Sequence, residues 1–232
     1  MRRFAVIGLG MFGRKLAIAL SMSGAEVIAI DKNREEVDLI RDKVSLAVRL
    51  DSTEEEALKA QGIDTVDVAI VSIGQGTGSG FEAAVLTVVN LKQMGVQNIY
   101  TRAEDLIAGQ VFSKIGATEV IYPEIESAQR WSYKLLAPHI TEKIDFAPGY
   151  SIASVKAPPS FDGKTVRELE LRQKYDVNLI AIKRGAGAWD KRTEEGTESG
   201  IISVPLPNTA IYQDDILMIA GSEADLAKLP EE

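Results

Sequence analysis

The chain has 232 residues, 45% of them hydrophobic and 26% charged, and its 26 basic against 34 acidic side chains give a net charge of −8. That balance argues against a broad grip on nucleic-acid phosphates, the absence of cysteine excludes disulfides and thiolate sites, and the single histidine, His139, excludes a two-histidine metal site within one chain. No apolar run reaches the ~18–20 residues that span a bilayer, and Met1-Arg2-Arg3 leads into a strand-like run without a signal-peptide core, so a cytoplasmic protein is expected.

Phe4–Ile7 is a short apolar run read as a strand, and residues 12–23 then repeat apolar side chains at helical spacing. A strand over Glu26–Ile30 precedes a charged helix near 33–43. Further strands are expected at Ser45–Leu50, Val68–Ile73, Asn98–Thr101 and Glu119–Tyr122, with helices near 54–61, 81–94 and 104–114. Continuous apolar strands alternating with helices predict a parallel sheet covered on both faces, so residues 1–122 read as an α/β, doubly wound, Rossmann-like domain of six strands. Pro123 suits the first position of a helix over about 124–138, which forms a crossover and linker segment to residue 147. Residues 148–232 read as a small α+β unit. Its strands are Tyr150–Ala157, Asn178–Lys183 and Asp215–Ala220, and its helices Thr165–Arg172 and Glu223–Lys228, with an exposed hairpin loop over Arg184–Gly200.

The sharpest local signal is Gly8-Leu9-Gly10-Met11-Phe12-Gly13, which follows a strand and opens a helix. In that setting Gly8 permits the tight turn, Gly10 lets the backbone approach a pyrophosphate, and Gly13 allows close helix packing. The helix N-terminus offers free N–H groups and the positive end of its dipole. Asp31 ends the second strand, where an acid can take ribose hydroxyls, and an acid there disfavours a ribose 2′-phosphate. Asp51-Ser52-Thr53 follows the third strand at the same edge, although Thr53 reads equally as a helix N-cap with Glu56 completing a capping box. A second glycine-rich stretch, Gly74–Gly80, reads equally as nucleotide contact or flexible loop. Acid–base machinery for a dehydrogenase is not evident: His139 sits beside Pro138 in what reads as a structural position, and no Walker-type glycine loop ending in Lys-Ser/Thr occurs. A nucleotide pocket without chemistry suggests a sensor. The alternative is a small NAD-dependent oxidoreductase or an NADH-responsive redox sensor.

The order of features resembles the regulatory subunits of KtrA/TrkA type, built from RCK (regulator of potassium conductance) domains. The resemblance runs from Phe4–Gly13 with Val27–Asp31, through Asp51–Glu54 and Val71–Gly74, to Lys114-Ile115-Gly116-Ala117 and Val120–Glu124. It continues in Arg172–Tyr175, Leu179–Lys183 and Asp214–Leu217 with Ala220-Gly221. It implies a non-enzymatic cytoplasmic subunit that binds ATP or ADP, with NAD(H) as a further candidate, and gates an integral-membrane potassium-translocating partner. It also implies dimers, an octameric ring, cyclic di-AMP as a regulator, and no nucleic-acid partner. By position it assigns Gly8, Gly10, Met11, Phe12 and Gly13 to the phosphates and Asp31 and Lys32 to the ribose side. Asp51, Ser52 and Thr53 fall by the adenine, Ser72, Ile73 and Gly74 in the pocket wall, and Arg102 opposite the phosphates. Glu124 is implied to help seat Mg²⁺ or Na⁺ at a dimer interface, and reads equally as a first-turn helix acid. Arg172 and Asn178 are the candidates for the regulator. The chain departs from the family pattern at Met11, where an arginine would reach a γ-phosphate across the dimer; Arg14, one helical turn on, is the candidate substitute.

Overall fold

The apolar runs of the N-terminal half pair as parallel strands: β1 (Arg3–Ile7), β2 (Glu26–Asp31), β3 (Leu46–Arg49), β4 (Val68–Val71), β5 (Ile99–Arg102) and β6 (Glu119–Ile121). Their order in the sheet is β3-β2-β1-β4-β5-β6. This computed structural model describes residues 2–74, 79–136, 140–184 and 200–230, so His139, most of the Gly74–Gly80 stretch and most of the Arg184–Gly200 loop lie outside the described residues. The chain divides into two units, Met1–Glu126 and Ser127–Glu232.

Side chains of a strand point alternately to opposite faces, and both faces of the first sheet are buried. Ile7, Ile28, Ile30, Ala69 and Val71 face one core with Leu58, Val88, Leu91 and Phe112. Val6, Val27, Ala29, Val68 and Ile70 face the other with Leu9, Ala17, Val37 and Ile40. The helices that follow β1 and β2, α1 (Met11–Met22) and α2 (Arg34–Asp38), therefore cover one face. Those that follow β3, β4 and β5, namely α3 (Glu55–Ala60), α4 (Gly80–Gln93) and α5 (Leu106–Ile115), cover the other. Each fully buried Leu, Ile or Phe contributes roughly 1.5–3 kcal/mol, which explains why these strands tolerate no polar alternation. Because the connections leave β1 and β4 toward opposite faces, a crevice opens between their C-terminal ends. The helix expected near 33–43 is shorter: α2 ends at Asp38 and a 3-10 turn follows at Arg41–Lys43. The helix α6 (Pro123–Leu136) begins on Pro123.

The second unit holds an antiparallel sheet in the order β10-β9-β11-β8-β7. Its strands are β7 (Ile140–Ala147), β8 (Tyr150–Lys156), β9 (Asn178–Lys183), β10 (Ile201–Ile202) and β11 (Ile216–Ser222). One face packs through Ala153, Val155, Ile182, Leu217 and Ile219 on Phe161, Leu169, Ile211 and Leu226. Sequence reading misses β7. Among the described residues it pairs only with β8, and an edge strand accommodates the charges of Glu142, Lys143 and Asp145 that break its apolar pattern. The single helix expected over Thr165–Arg172 is two, α7 (Val166–Leu169) and α8 (Leu171–Tyr175), separated at Glu170, whose φ of 48° no helix can contain. A short helix, α9 (Glu223–Leu226), closes the chain's described part. Asp215 is fully buried just before β11 and accepts hydrogen bonds from the Arg184 guanidinium and the Tyr212 N–H, fastening the base of the β9–β10 connection.

Candidate functional site

The turn after β1 is built by glycines for two separate reasons. Gly8 takes φ +92°, and a Cβ there would lie 2.7 Å from the backbone of Ser72 and Ile73, so only glycine lets β1 and β4 end side by side. At Gly13 a Cβ would stand 2.0 Å from the Gly8 carbonyl oxygen; the close approach is between the helix and its own turn as much as between helix and sheet. Gly10 differs from both, since nothing lies within 4 Å of the Cβ it lacks. It precedes α1 and lines a cavity of about 560 Å³ at the C-terminal edge of the sheet.

Asp31 closes the opposite side of that cavity. Its Oδ2 accepts from the Leu9 N–H at 2.6 Å and its Oδ1 from the Asn33 N–H at 2.8 Å, so the carboxylate ties the glycine turn to the end of β2. Each carboxylate oxygen keeps further lone-pair capacity, which is what a pair of ribose hydroxyls needs. Lys32 and Asn33 continue the wall, and the Asn33 side chain caps α2 by accepting from the Glu35 N–H.

Asp51, Ser52 and Thr53 form the third side. Here the expected capping box is not what forms: α3 starts after Glu54 with no side-chain cap, while the Thr53 hydroxyl and N–H both donate to Asp51 Oδ1. The Thr53 N–H bond, then its hydroxyl bond, hold the Asp51 carboxyl below its ordinary value, with the nearby Lys32 charge adding to them. The Ser52 hydroxyl lies 2.8 Å from that of Thr87, which donates to the Ala83 carbonyl, so Ser52 is the donor in the pair. Asn90 donates to the Thr53 carbonyl. These bonds fix the β3–α3 loop on α4. Ser72, Ile73 and Gly74 line the floor beyond β4, and the Ser72 hydroxyl is buried without a hydrogen-bond partner among the described residues.

Of the phosphate, ribose, adenine and wall candidates, Gly8, Gly10, Asp31, Lys32, Asp51, Ser52, Thr53, Ser72, Ile73 and Gly74 thus meet around one cavity. Gly13 shapes the turn from behind, and neither Phe12 nor Met11 is in the lining; Met11 is 80% exposed. Arg102 is also outside it. Its guanidinium donates to Glu124 at 2.6 Å and lies 3.6 Å from Glu104. Partial desolvation raises the Glu124 carboxyl, but the Arg102 hydrogen bond and its own N–H outweigh that and leave it below the ordinary value. Among the described residues no group of three or more acidic or histidine side chains is placed to hold a metal ion. Arg14 is not in the lining either, and is paired with Glu36 at 2.7 Å. Arg172 is exposed on α8, and Asn178 is exposed at the start of β9, opposite Ala220 of β11.

Sequence reading missed Glu36, Glu82, Ala83 and Leu86 in the lining. The last three come from α4, and only the fold brings that helix to the crevice. Glu36 was open to inference, since it lies in the first turn of the helix that follows Asp31.

Models of the TrkA-N domain and the TrkA-C domain match residues 4–123 and 151–232. The chain is 34% identical over 227 residues to Ktr system potassium uptake protein C of Bacillus subtilis, covering 98% of this chain and 95% of that one. To Ktr system potassium uptake protein A of the same bacterium it is 31% identical over 231 residues, or 100% and 96% of the two chains. Among solved structures it is similar to the GsuK RCK domain, with a TM-score of 0.61 at 17% identity over 97% of this chain and 46% of that one. The GsuK channel bound to NAD gives a TM-score of 0.60 at 16% identity, over 100% and 40%. The likeness to these two structures is one of fold. The chain belongs to the TrkA-N/TrkA-C family and is homologous along its length to the Ktr potassium uptake proteins.

Proposed function

From that family membership we propose that the protein is a nucleotide-sensing regulatory subunit of a membrane potassium transport system, a binding module and not an enzyme. One observation carries the reading: the glycine turn, Asp31 and Asp51–Thr53 converge on a single cavity of about 560 Å³ at the point where the sheet's connections reverse. Such a crevice takes a nucleotide with its phosphates on the helix N-terminus. ATP and ADP are the proposed ligands, with NAD(H) competing for the same space. Gly8 and Gly10 present the backbone to the phosphates, Asp31 takes the ribose, and Ser52 and Thr53 flank the base. The ligand acts by binding one conformation of an assembly better than another. That assembly is proposed to be a ring of dimers, eight copies in all, at the cytoplasmic face of the membrane beneath a potassium-translocating partner. Two roles are proposed outside the cavity. Glu124 would meet Mg²⁺ or Na⁺ only with ligands from a second copy, and Arg172 and Asn178 would take cyclic di-AMP.

Calorimetric titration of the full chain with ATP, ADP and NADH, with and without Mg²⁺, tests the reading when combined with light scattering. The expected result is dissociation constants below about 100 μM for an adenine nucleotide, ring-sized particles, and roughly tenfold or greater loss of affinity on Asp31→Ala. Absence of binding by all three nucleotides, or undiminished affinity in Asp31→Ala, overturns it.

A further inference from the structure

Glu36 lines the cavity, and Arg14, outside the lining, is paired with it. Arg14 is in the first turn of α1, directly behind the glycine turn, and Glu36 is in the first turn of α2, directly behind Asp31. Glu36 Oε2 accepts from Arg14 Nη1 at 2.7 Å, and both side chains are about 70% covered, at 28% and 31% exposure. Only the carboxylate partner is in the cavity wall. The wall on the proposed ribose side therefore presents two acids, Asp31 and Glu36, against one ammonium, Lys32, and the Arg14 guanidinium is paired with Glu36 outside the lining. A ribose hydroxyl can donate to either acid. A phosphate dianion in the same place can donate to neither and meets like charge from both, two carboxylates against the single ammonium of Lys32.

We infer that the Arg14–Glu36 pair sets the ligand class of this site: it admits nucleotides with a free ribose 2′-hydroxyl and rejects those with a 2′-phosphate, by holding a carboxylate forward and an arginine back. Asp31 supplies one part of this discrimination. Glu36 supplies another, because it adds a second negative charge and also occupies the Arg14 guanidinium, a group whose planar fork suits phosphate. The inference rests on the nucleotide-binding reading above and deepens it. Glu36→Gln keeps the shape of the side chain, removes its charge and loosens its hold on Arg14.

The probes are ADP-ribose and 2′-phospho-ADP-ribose, which differ only in the phosphate at issue, titrated into the full chain by calorimetry at constant salt. The wild-type protein is expected to prefer ADP-ribose, and Glu36→Gln to narrow that preference roughly tenfold, the scale of forming one charge-assisted hydrogen bond and relieving one like-charge repulsion. The pair Arg14→Met/Glu36→Gln is expected to lose the part of the gain that the released guanidinium supplies. Circular dichroism of each variant establishes that it is folded; both positions are partly exposed, outside either core. An unchanged preference in folded Glu36→Gln overturns the inference while leaving nucleotide binding intact. A full gain retained in the double variant removes Arg14 from it. Failure of the wild-type protein to bind ADP-ribose, ATP, ADP and NADH alike overturns both the inference and the reading it rests on.

Discussion

Two glycines of the same turn are expected to fail in opposite ways when replaced by alanine. At Gly13 the new Cβ would stand 2.0 Å from the Gly8 carbonyl oxygen and 3.1 Å from the Ser72 hydroxyl, whereas real Cβ contacts keep to at least 3.0 Å. Either the turn or the start of α1 must then move by an ångström or more. The obstructing atom is backbone, so no rotamer change relieves it. Overpacking of this kind costs about 1–3 kcal/mol, or a fall in melting temperature of roughly 2–4 °C per kcal/mol for a chain of this size. At Gly10 the new methyl meets nothing within 4 Å, and φ −58°, ψ −173° suits any residue. There the weaker N-cap preference of alanine and its smaller unfolded-state entropy oppose each other, so stability should stay within about 1 kcal/mol of wild type. The methyl does, however, enter the cavity beside the α1 N-terminus, and ATP or ADP affinity should fall roughly tenfold, about 1.4 kcal/mol. Thermal unfolding and calorimetry on the same preparations separate the two effects. The reasoning fails if Gly13→Ala melts with wild type, or if Gly10→Ala costs as much stability as Gly13→Ala.

Two further outcomes are expected. Asp215→Ala removes the buried acceptor of Arg184 and of the Tyr212 N–H, and should destabilise the second unit by roughly 3–5 kcal/mol in urea unfolding; a loss under about 1 kcal/mol would show that the Arg184 guanidinium, stacked 5.0 Å over the Tyr212 ring, needs no carboxylate. Asp51 titrates in the fold below its ordinary value of 3.8 because Thr53 bonds to the carboxylate form. The stabilisation is therefore fully present above 3.8 and is lost as pH falls through the lower folded value. The stability difference between wild type and Asp51→Asn should be constant from pH 8 to about 5 and shrink below the ordinary carboxylate range. A difference that shrinks already between pH 7 and 5 would contradict the bond geometry.

The first sheet was legible because a parallel strand buried on both faces has no polar alternation to disguise it: Val27–Ile30 and Val68–Val71 are apolar at every position. The glycine turn and Asp31 were legible for a related reason, since β1, turn, α1 and β2 are consecutive and spacing along the chain maps directly onto distance across the crevice. The contributions of α4 were not, because which of its side chains line the cavity depends on how the helix packs on the sheet, and Glu82, Ala83 and Leu86 carry no motif of their own. The second unit was harder. Charged residues mask the edge strand β7, and the left-handed backbone at Glu170 splits a helix with no glycine to mark the break. Met11, Phe12 and Arg102 were placed by resemblance and not by local geometry, and they are the cofactor candidates that neither line the cavity nor, like Gly13, shape its turn.

The charge pattern of the cavity bears on how such a site senses its ligand. Four carboxylates (Asp31, Glu36, Asp51 and Glu82) and one ammonium, Lys32, are among its lining residues. A polyanion bound there, as proposed, would be held against that negative field by backbone N–H groups and the dipole of α1, whose strength falls off within the first turn of the helix. Attraction from a long flexible side chain survives small displacements, whereas attraction from the fixed N–H groups of a helix end does not. Gly8 and Gly13 set the position of that end against β4 through contacts that leave no room for a methyl. Asp31 then fastens the turn to β2 through the Leu9 N–H. A shift of α1 relative to the sheet would change phosphate affinity steeply, and by linkage a bound phosphate would resist that shift with the same free energy. Under the proposed function, a turn this closely packed, facing a cavity this acidic, would make nucleotide occupancy depend on backbone position more than on net charge, the coupling that such a regulatory role requires.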